Sequence, residues 1–314
     1  MVKNKKDKMK ESLKEILETK FKGSVFIDEP LAGYTSLNVG GPADIFFIPD
    51  SVESLSEFLR LLRKYKISFI VLGNGSNVLF SDKGLRGAVI RMSHQGFKRI
   101  EVESNCVRCG AGVLLSELSR KTESLGLSGC EFMAGIPGTA AGAVISNAGA
   151  FEQDTGKITE RVESLDFSSR RRVFQKNDLK FSYRYCSLSV CKLVIVGISF
   201  MLTQGNVVSV SRRVEEIKKR REEAFPELPN AGSIFKNPDN IPAWELIDES
   251  GLRNMRLGGA RVSMKHSNMI VNEGKATSKD IRNLVEIIQI KVLEKFGIAL
   301  EPEIRIVPEF LNAQ

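Results

Sequence analysis

The period of the apolar positions changes several times along this chain, and each change marks an element. Leu55, Phe58, Leu59 and Leu62 recur at helical spacing, which predicts an amphipathic helix over about 51 to 65 with one apolar stripe. Phe69-Ile70-Val71-Leu72 follows as an uninterrupted apolar run, the pattern of a buried strand, and a further short strand is predicted around 44 to 48. Strand, helix, strand predicts an α/β beginning. Ahead of it, Met9, Leu13, Ile16 and Leu17 share one helical face, predicting an N-terminal helix, and residues 35 to 42 read as a loop. Short strands are predicted between 87 and 110, a helix over 113 to 125, a glycine-rich stretch from 126 to 150, and strands again from 160 to 203. The last of these, LVIVGISFMLT at 193 to 203, reads as largely buried.

A charged helix over 207 to 223 marks a boundary, and the remaining hundred residues change character. They hold a Pro/Gly/Asn-rich loop at 226 to 242, a short helix at 243 to 249, a strand at 268 to 272 and a long helix over 278 to 296. The last opens on Thr277-Ser278-Lys279-Asp280 and stops at Gly297, an acidic capping box at one end and a glycine cap at the other. The pattern predicts an α+β chain: a lead-in over 1–34, two α/β units over 35–95 and 96–205, and a separate α+β unit over 206–314.

Composition narrows the function. With 314 residues, 42% hydrophobic and 27% charged, the chain suits a multidomain soluble enzyme. No run of eighteen apolar residues and no apolar segment behind the N-terminal lysines occurs, so no membrane insertion and a cytoplasmic location are expected. The net charge of +8 fits nucleic acid or a phosphorylated small ligand, and the absence of a recognised nucleic-acid module favours the latter. Five cysteines and two histidines supply neither a disulfide framework nor a zinc set, so Cys106 and Cys109 are expected to be core residues and no metal is expected.

Two glycine-rich segments carry candidate chemistry. Gly73-Asn74-Gly75-Ser76-Asn77 follows a strand directly, where backbone N–H groups can converge on a phosphate. It lacks the third glycine of a dinucleotide fingerprint and the Lys of a P-loop, and taken alone it reads better as a plain turn. The second runs from Gly135 to Ala150 with small residues at nearly every position. Backbone can approach a flat or charged ligand there, and Thr139 can cap a helix, although tight helix–sheet packing also accounts for small residues.

LGNGSNVL (72–79), GAG (110–112), AGIPGTAAGAVISNAGA (134–150), YRY (183–185), NAGSIFKNP (230–238), VSMKHSNMIVN (262–272) and LEPEIR (300–305) together resemble, in order, the UDP-N-acetylenolpyruvoylglucosamine reductase family. The resemblance spans about 34 to 307. It implies two α/β FAD-binding subdomains of the vanillyl-alcohol-oxidase type with a C-terminal α+β substrate domain, FAD and NADPH as cofactors, and a role in cell-wall peptidoglycan precursor synthesis. It further implies that Gly73, Asn74, Gly75, Ser76 and Asn77 meet the FAD pyrophosphate. Gly110, Gly112, Ile136, Pro137, Gly138, Thr139, Gly142 and Asn147 complete the cofactor set.

The same resemblance implies three catalytic residues. Arg184 would meet the charge that grows on the substrate carboxylate, Ser233 would donate the proton, and Glu303 would assist by hydrogen bonding, for which its pKa must be raised. Taken alone, Arg184 reads as a cation over Tyr183 or Tyr185, Ser233 as a turn residue and Glu303 as a sheet-edge charge. Tyr183, Arg221, Lys236, Asn237, His266 and Arg305 are implied substrate contacts, and Glu301 is expected to be simply solvated. Two departures stand out: Cys186 occupies a position where many members have serine, and the chain between Arg184 and residue 193 is too short for the long substrate loop of one subgroup. The alternatives are an FAD-linked oxidase of the same fold and a non-enzymatic nucleotide-binding protein. A monomer or weak oligomer is expected, with the enolpyruvyl nucleotide sugar as partner and no nucleic acid.

Overall fold

The apolar stripe of Leu55, Phe58, Leu59 and Leu62 is fully buried on the helix Val52–Lys64, whose first turn is capped by Ser51 Oγ accepting from Ser54 N at 3.2 Å. This computed structural model describes Leu17 and residues 21–311, so the predicted helix carrying Met9, Leu13 and Ile16 lies outside the described residues apart from the buried Leu17. The helix packs on a four-stranded sheet in the order Gly23–Pro30, Pro42–Pro49, Leu85–Arg91, Phe69–Leu72. Its last three strands are parallel, as strand–helix–strand connections require, while Gly23–Pro30 runs antiparallel along the edge. That edge strand falls in the segment read as lead-in. Its residues are mostly exposed, Phe26 and Ile27 among them, so no alternation of apolar and polar positions betrays it.

A second sheet is antiparallel throughout, in the order Arg171–Gln175, Thr159–Asp166, Leu193–Met201, Cys106–Gly110, Ile100–Glu103. The predicted buried strand is its centre. One hydrophobic cluster joins the two sheets without a break, running from Phe58 and Ile90 through Phe97 and Val107 to Val144, Ile198 and Phe200. Cys106 and Cys109, three residues apart on one strand, point to opposite faces, all five cysteines are free, and burial pushes the Cys109 thiol up to about 12. Such a thiol stays protonated and inert. Among the described residues no His/Cys/Asp/Glu group is placed to hold a metal.

The C-terminal unit sets the helices Ala243–Glu249 and Ser278–Phe296 against a three-stranded antiparallel sheet, Arg256–Leu257, Ala260–Val262 and Ile270–Asn272. Thr277 Oγ1 accepts from Asp280 N at 3.1 Å, Asp280 Oδ2 accepts from Thr277 N at 2.9 Å, and Gly297 ends the helix at φ +70°. The core of this unit is not its own alone, because Leu37, Val39 and Leu79 from the front of the chain pack into it. The chain then turns back: Arg305–Val307 pairs in parallel with Val78–Phe80, and Phe310 bridges to Arg86.

Asp82 ties the halves together at a helix end. Its two carboxylate oxygens accept from Ser278 N at 2.7 Å and Lys279 N at 3.1 Å, satisfying N–H groups that a helix start leaves unpaired. Asp82→Ala is expected to lower the unfolding free energy by about 1 to 2 kcal/mol, read from the urea midpoint. A midpoint equal to wild type would mean that water replaces the carboxylate without loss.

Candidate active-site cleft

A cleft of about 1080 Å³ opens between the two sheets and the C-terminal unit. One wall is the turn 73–77, which leaves the strand Phe69–Leu72 and folds hard against residue 34: Gly75 sits at φ +68°, and a Cβ there would stand 1.9 Å from the Tyr34 carbonyl oxygen. No other residue fits that turn. The facing wall is the segment from Gly135 into the helix Ala140–Ser146, capped by Thr139 Oγ1, which accepts from Gly142 N at 3.3 Å. The two segments touch, since a Cβ on Gly73 would meet Thr139 Oγ1 at 2.7 Å and Asn74 Nδ2 donates to the Pro137 carbonyl at 3.4 Å. Close packing and an open face to the cleft therefore coexist in the same glycines.

Arg184 occupies the turn of a small hairpin, Phe181–Ser182 with Tyr185–Cys186, at φ +54°. A side chain in the left-handed region costs of order 1 kcal/mol or more and persists where surrounding structure enforces it. The guanidinium Nε donates to Glu303 Oε1 at 2.7 Å, and the same group stands 5.0 Å from the centre of the Tyr183 ring. Both the ion pair and the cation–π contact are present at once.

Glu303 is held by its backbone between two cleft segments. Its N–H donates to the Ile234 carbonyl at 2.7 Å, its carbonyl accepts from Asn77 Nδ2 at 3.1 Å, and Arg305 N donates to the Asn77 carbonyl at 3.1 Å. Burial pushes the Glu303 carboxyl above the ordinary carboxylate range, and the charges of Arg184 and Lys236 offset this only in part. Ser233 lines the cleft one residue before Ile234, and its hydroxyl has no hydrogen-bond partner among the described residues. The loop is clamped by Asn268, whose Oδ1 accepts from Phe235 N at 2.9 Å and whose carbonyl accepts from Ile234 N at 2.8 Å.

The lining is strongly cationic: Arg91, Lys98, Arg184, Lys192, Arg221 and Arg305 face one carboxylate, Glu303. Arg221 donates through Nε to the Gly135 carbonyl at 3.0 Å and lies 4.3 Å from the Phe225 ring centre. Burial lowers its pKa to about 10, which leaves it charged at neutral pH. Arg305 is lowered for the same reason while remaining accessible from the cleft.

A family model described as UDP-N-acetylenolpyruvoylglucosamine reductase, C-terminal domain, matches residues 224–307, and one described as FAD binding domain matches residues 43–170. A UDP-N-acetylenolpyruvoylglucosamine reductase of Caldanaerobacter subterraneus subsp. tengcongensis is 40% identical over 304 residues, covering 96% of this chain and 98% of that one. The chain belongs to the UDP-N-acetylenolpyruvoylglucosamine reductase family. A relative of the same description from Caldicellulosiruptor bescii is 41% identical over 287 residues, 90% of each chain. The crystal structure of the reductase from Thermus caldophilus aligns with a TM-score of 0.78 at 33% identity, covering 91% of this chain and 99% of that one. The fold is thus the FAD-binding fold of the vanillyl-alcohol-oxidase type with an added C-terminal α+β unit, and the oxidase alternative is not favoured.

The residues present fit the flavin dinucleotide that this family uses. Arg91 Nε is buried without a hydrogen-bond partner among the described residues, and neither Arg91 nor Arg305 has a carboxylate within ion-pair distance there. Two cations left unneutralised in one cleft suit a diphosphate. Of the cofactor residues that the family resemblance implies, Gly73, Asn74, Gly75, Ser76, Asn77, Gly112, Ile136, Pro137, Gly138, Thr139 and Gly142 line the cleft. Gly110 and Asn147 do not: Gly110 packs behind the wall against Phe97, and Asn147 is 3% exposed and turned away.

Of the implied substrate residues, Arg221 and Arg305 line the cleft, whereas Tyr183, Lys236, Asn237 and His266 stand outside its lining. Tyr183 and Asn237 meet at the rim, Asn237 N donating to the Tyr183 hydroxyl at 3.3 Å. Lys236 pairs with Glu301, whose side chain is 69% exposed, as expected of a solvated carboxylate. His266 packs edge-on against Phe225 and Trp244, and burial lowers its imidazole pKa, so it is neutral at neutral pH. Arg91, Lys98 and Lys192 are cleft cations that the sequence reading missed. For Arg91 a signal existed, a charge terminating the apolar strand Leu85–Arg91.

The Glu303 shift carries a sign that can be measured. A carboxyl whose folded-state pKa lies above its unfolded value contributes stability that is present at low pH and lost as pH rises through the folded value. Glu303→Gln should remove that segment of the stability–pH curve, and Arg184→Ala, which deletes a charge holding the carboxyl down, should move it to higher pH. Urea unfolding across the acid range reads both, and identical curves for wild type and Glu303→Gln would show the carboxyl to be unperturbed.

Proposed function

We propose that this chain reduces UDP-N-acetylenolpyruvoylglucosamine to UDP-N-acetylmuramate with FAD as resident cofactor and NADPH as reductant, supplying a peptidoglycan precursor. The observation that carries the reading is the Arg184–Glu303 pair beside the unpartnered hydroxyl of Ser233, in a cleft lined by six cations and one carboxylate. Held by the segments 73–77 and 135–142, FAD would supply the hydride, taken from NADPH, for the enolpyruvyl double bond. The chain's own residues do the rest.

Arg184 stabilises the charge that develops on the substrate carboxylate, its planar fork matching two oxygens where a lysine would meet one. Glu303, its carboxyl held up by burial, donates a hydrogen bond to the enolate form as it appears. Ser233 Oγ gives its proton to the carbon beside the carboxylate, an acceptor basic enough for a neutral hydroxyl to serve. Arg221 and Arg305 hold the diphosphates, and Tyr183, Lys236 and Asn237 close the rim around the nucleotide. His266 supports Phe225 from behind.

In this reading residues 35–95 and 96–205 form the flavin half and 206–314 the nucleotide-sugar half, with the tail from Arg305 shared by both. No described helix is long and apolar enough to cross a membrane. We read the site of action as cytoplasmic and the active form as a monomer or weak oligomer.

The test is anaerobic. NADPH should bleach the flavin absorbance, and the enolpyruvyl nucleotide sugar should restore it. Ser233→Ala should bleach as wild type but recover about 10²- to 10⁴-fold more slowly. If the sugar fails to restore the wild-type absorbance, the substrate assignment is wrong; if Ser233→Ala recovers at the wild-type rate, another group is the proton donor.

A further inference from the structure

Asn147 ends the helix Ala140–Ser146 in the left-handed conformation, at φ 42°, and its side chain points away from the cleft into the protein. Both ends of the amide are used. Oδ1 accepts from Gly156 N at 2.8 Å, and Nδ2 donates to the Ser182 carbonyl at 2.9 Å. Ser182 is the residue before the Tyr183-Arg184 turn, and it pairs across that turn with Tyr185.

Gly156 does a second service for the same hairpin. A Cβ on Gly156 would meet the Phe181 ring at 2.5 Å, so the ring of the residue before Ser182 rests directly on the Gly156 backbone. The first strand of the hairpin is therefore fixed at two consecutive residues, Phe181 by packing and Ser182 by a hydrogen bond, and Asn147 makes or supports both. Beyond them the chain must hold Arg184 at φ +54°. A strained turn keeps its geometry only when its flanks are fixed.

We propose that Asn147 is a positioning residue for Arg184: the amide at the end of the flavin-facing helix sets where the guanidinium points toward Glu303 and the substrate carboxylate. This rests on the role given above to Arg184. It also explains why an asparagine stands in a segment of small residues without lining the cleft: Asn tolerates the left-handed cap as a glycine would, and adds the two bonds that a glycine lacks. The segment that faces the flavin on one side thereby fixes the substrate-side cation on the other.

Asn147→Gly separates the two duties, since glycine keeps the helix cap and loses only the amide. Asn147→Asp keeps the acceptor for Gly156 N and replaces the donor to Ser182 with a second acceptor, so it should perturb the hairpin more. The purified flavoproteins are reduced anaerobically with NADPH and then mixed with the enolpyruvyl nucleotide sugar, alongside Arg184→Ala. Asn147→Gly should retain flavin and be reduced within about twofold of wild type, while reoxidation by the sugar slows about 10- to 100-fold, the scale of a misplacement near 1 Å. Asn147→Asp should slow that step further.

The outcomes separate. If Arg184→Ala reoxidises at the wild-type rate, the reading of Arg184 itself fails and the proposal with it. If Arg184→Ala is slow but Asn147→Gly and Asn147→Asp are not, the positioning role alone is wrong. If Asn147→Gly loses flavin or slows both half-reactions equally, its role is structural and the proposal is overturned. Should Asn147→Gly not fold, Gly156→Ala tests the same anchor through Phe181 and is expected to show the same selective slowing; equal slowing of both steps there would also overturn it.

Discussion

The pairing of Arg305–Val307 with Val78–Phe80 is the constraint on which the cleft depends. It brings the end of the chain onto the strand that leaves the Gly73–Asn77 turn, so that Asn77 exchanges hydrogen bonds with Glu303 and Arg305. Together with the bonds of Glu303 N to Ile234 and Lys236 N to Glu301, it seats Glu303 against Arg184 at the cleft wall. Backbone bonds in a parallel ladder fix position to a fraction of an ångström, which side-chain contacts between separate units seldom do. The three catalytic candidates then arrive from three places: Arg184 from a strained hairpin, Ser233 from a loop clamped by Asn268, and Glu303 from this returning tail.

Electrostatics follow from that closure. Arg184 donates to Glu303, the one carboxylate of the lining, while Arg91, Lys98, Lys192, Arg221 and Arg305 leave the rest of the lining positive. A cleft with excess positive charge and low-dielectric walls attracts polyanions and holds them without needing many contacts. Burial does opposite things to the two kinds of group there: it raises Glu303 toward its neutral form and lowers Arg221 and Arg305 without discharging them. The outcome is a carboxyl shifted toward its protonated form among cations that burial makes somewhat easier to discharge.

Local features were legible in the sequence and non-local ones were not. The strand Phe69–Leu72, the Thr277–Asp280 box, the cap at Gly297 and the Thr139 cap are each decided within a few residues, so pattern and composition reach them. The edge strand Gly23–Pro30 escaped because exposed edges carry no alternation. The tail pairing escaped because nothing local at 305 to 307 names its partner. At the site, the glycine segments and the three catalytic candidates were reached through seven ordered motifs that match a family, whereas Arg91 and the Lys236–Glu301 pair depend on contacts between distant segments. Asn147 was reached as part of a motif and placed with the cofactor, yet its amide turns the other way.

The long-range ladder also bears on how the protein is made. During synthesis the strand Val78–Phe80 emerges well before its partner Arg305–Val307, an interval of roughly 10 to 50 s at ordinary translation rates. Throughout that time the flavin half presents an unpaired strand edge and an open apolar surface where Leu79 will later be covered. The nascent chain is therefore exposed to misassociation until Arg305–Val307 clears the ribosome. A chain truncated before 305 would keep that vulnerability permanently.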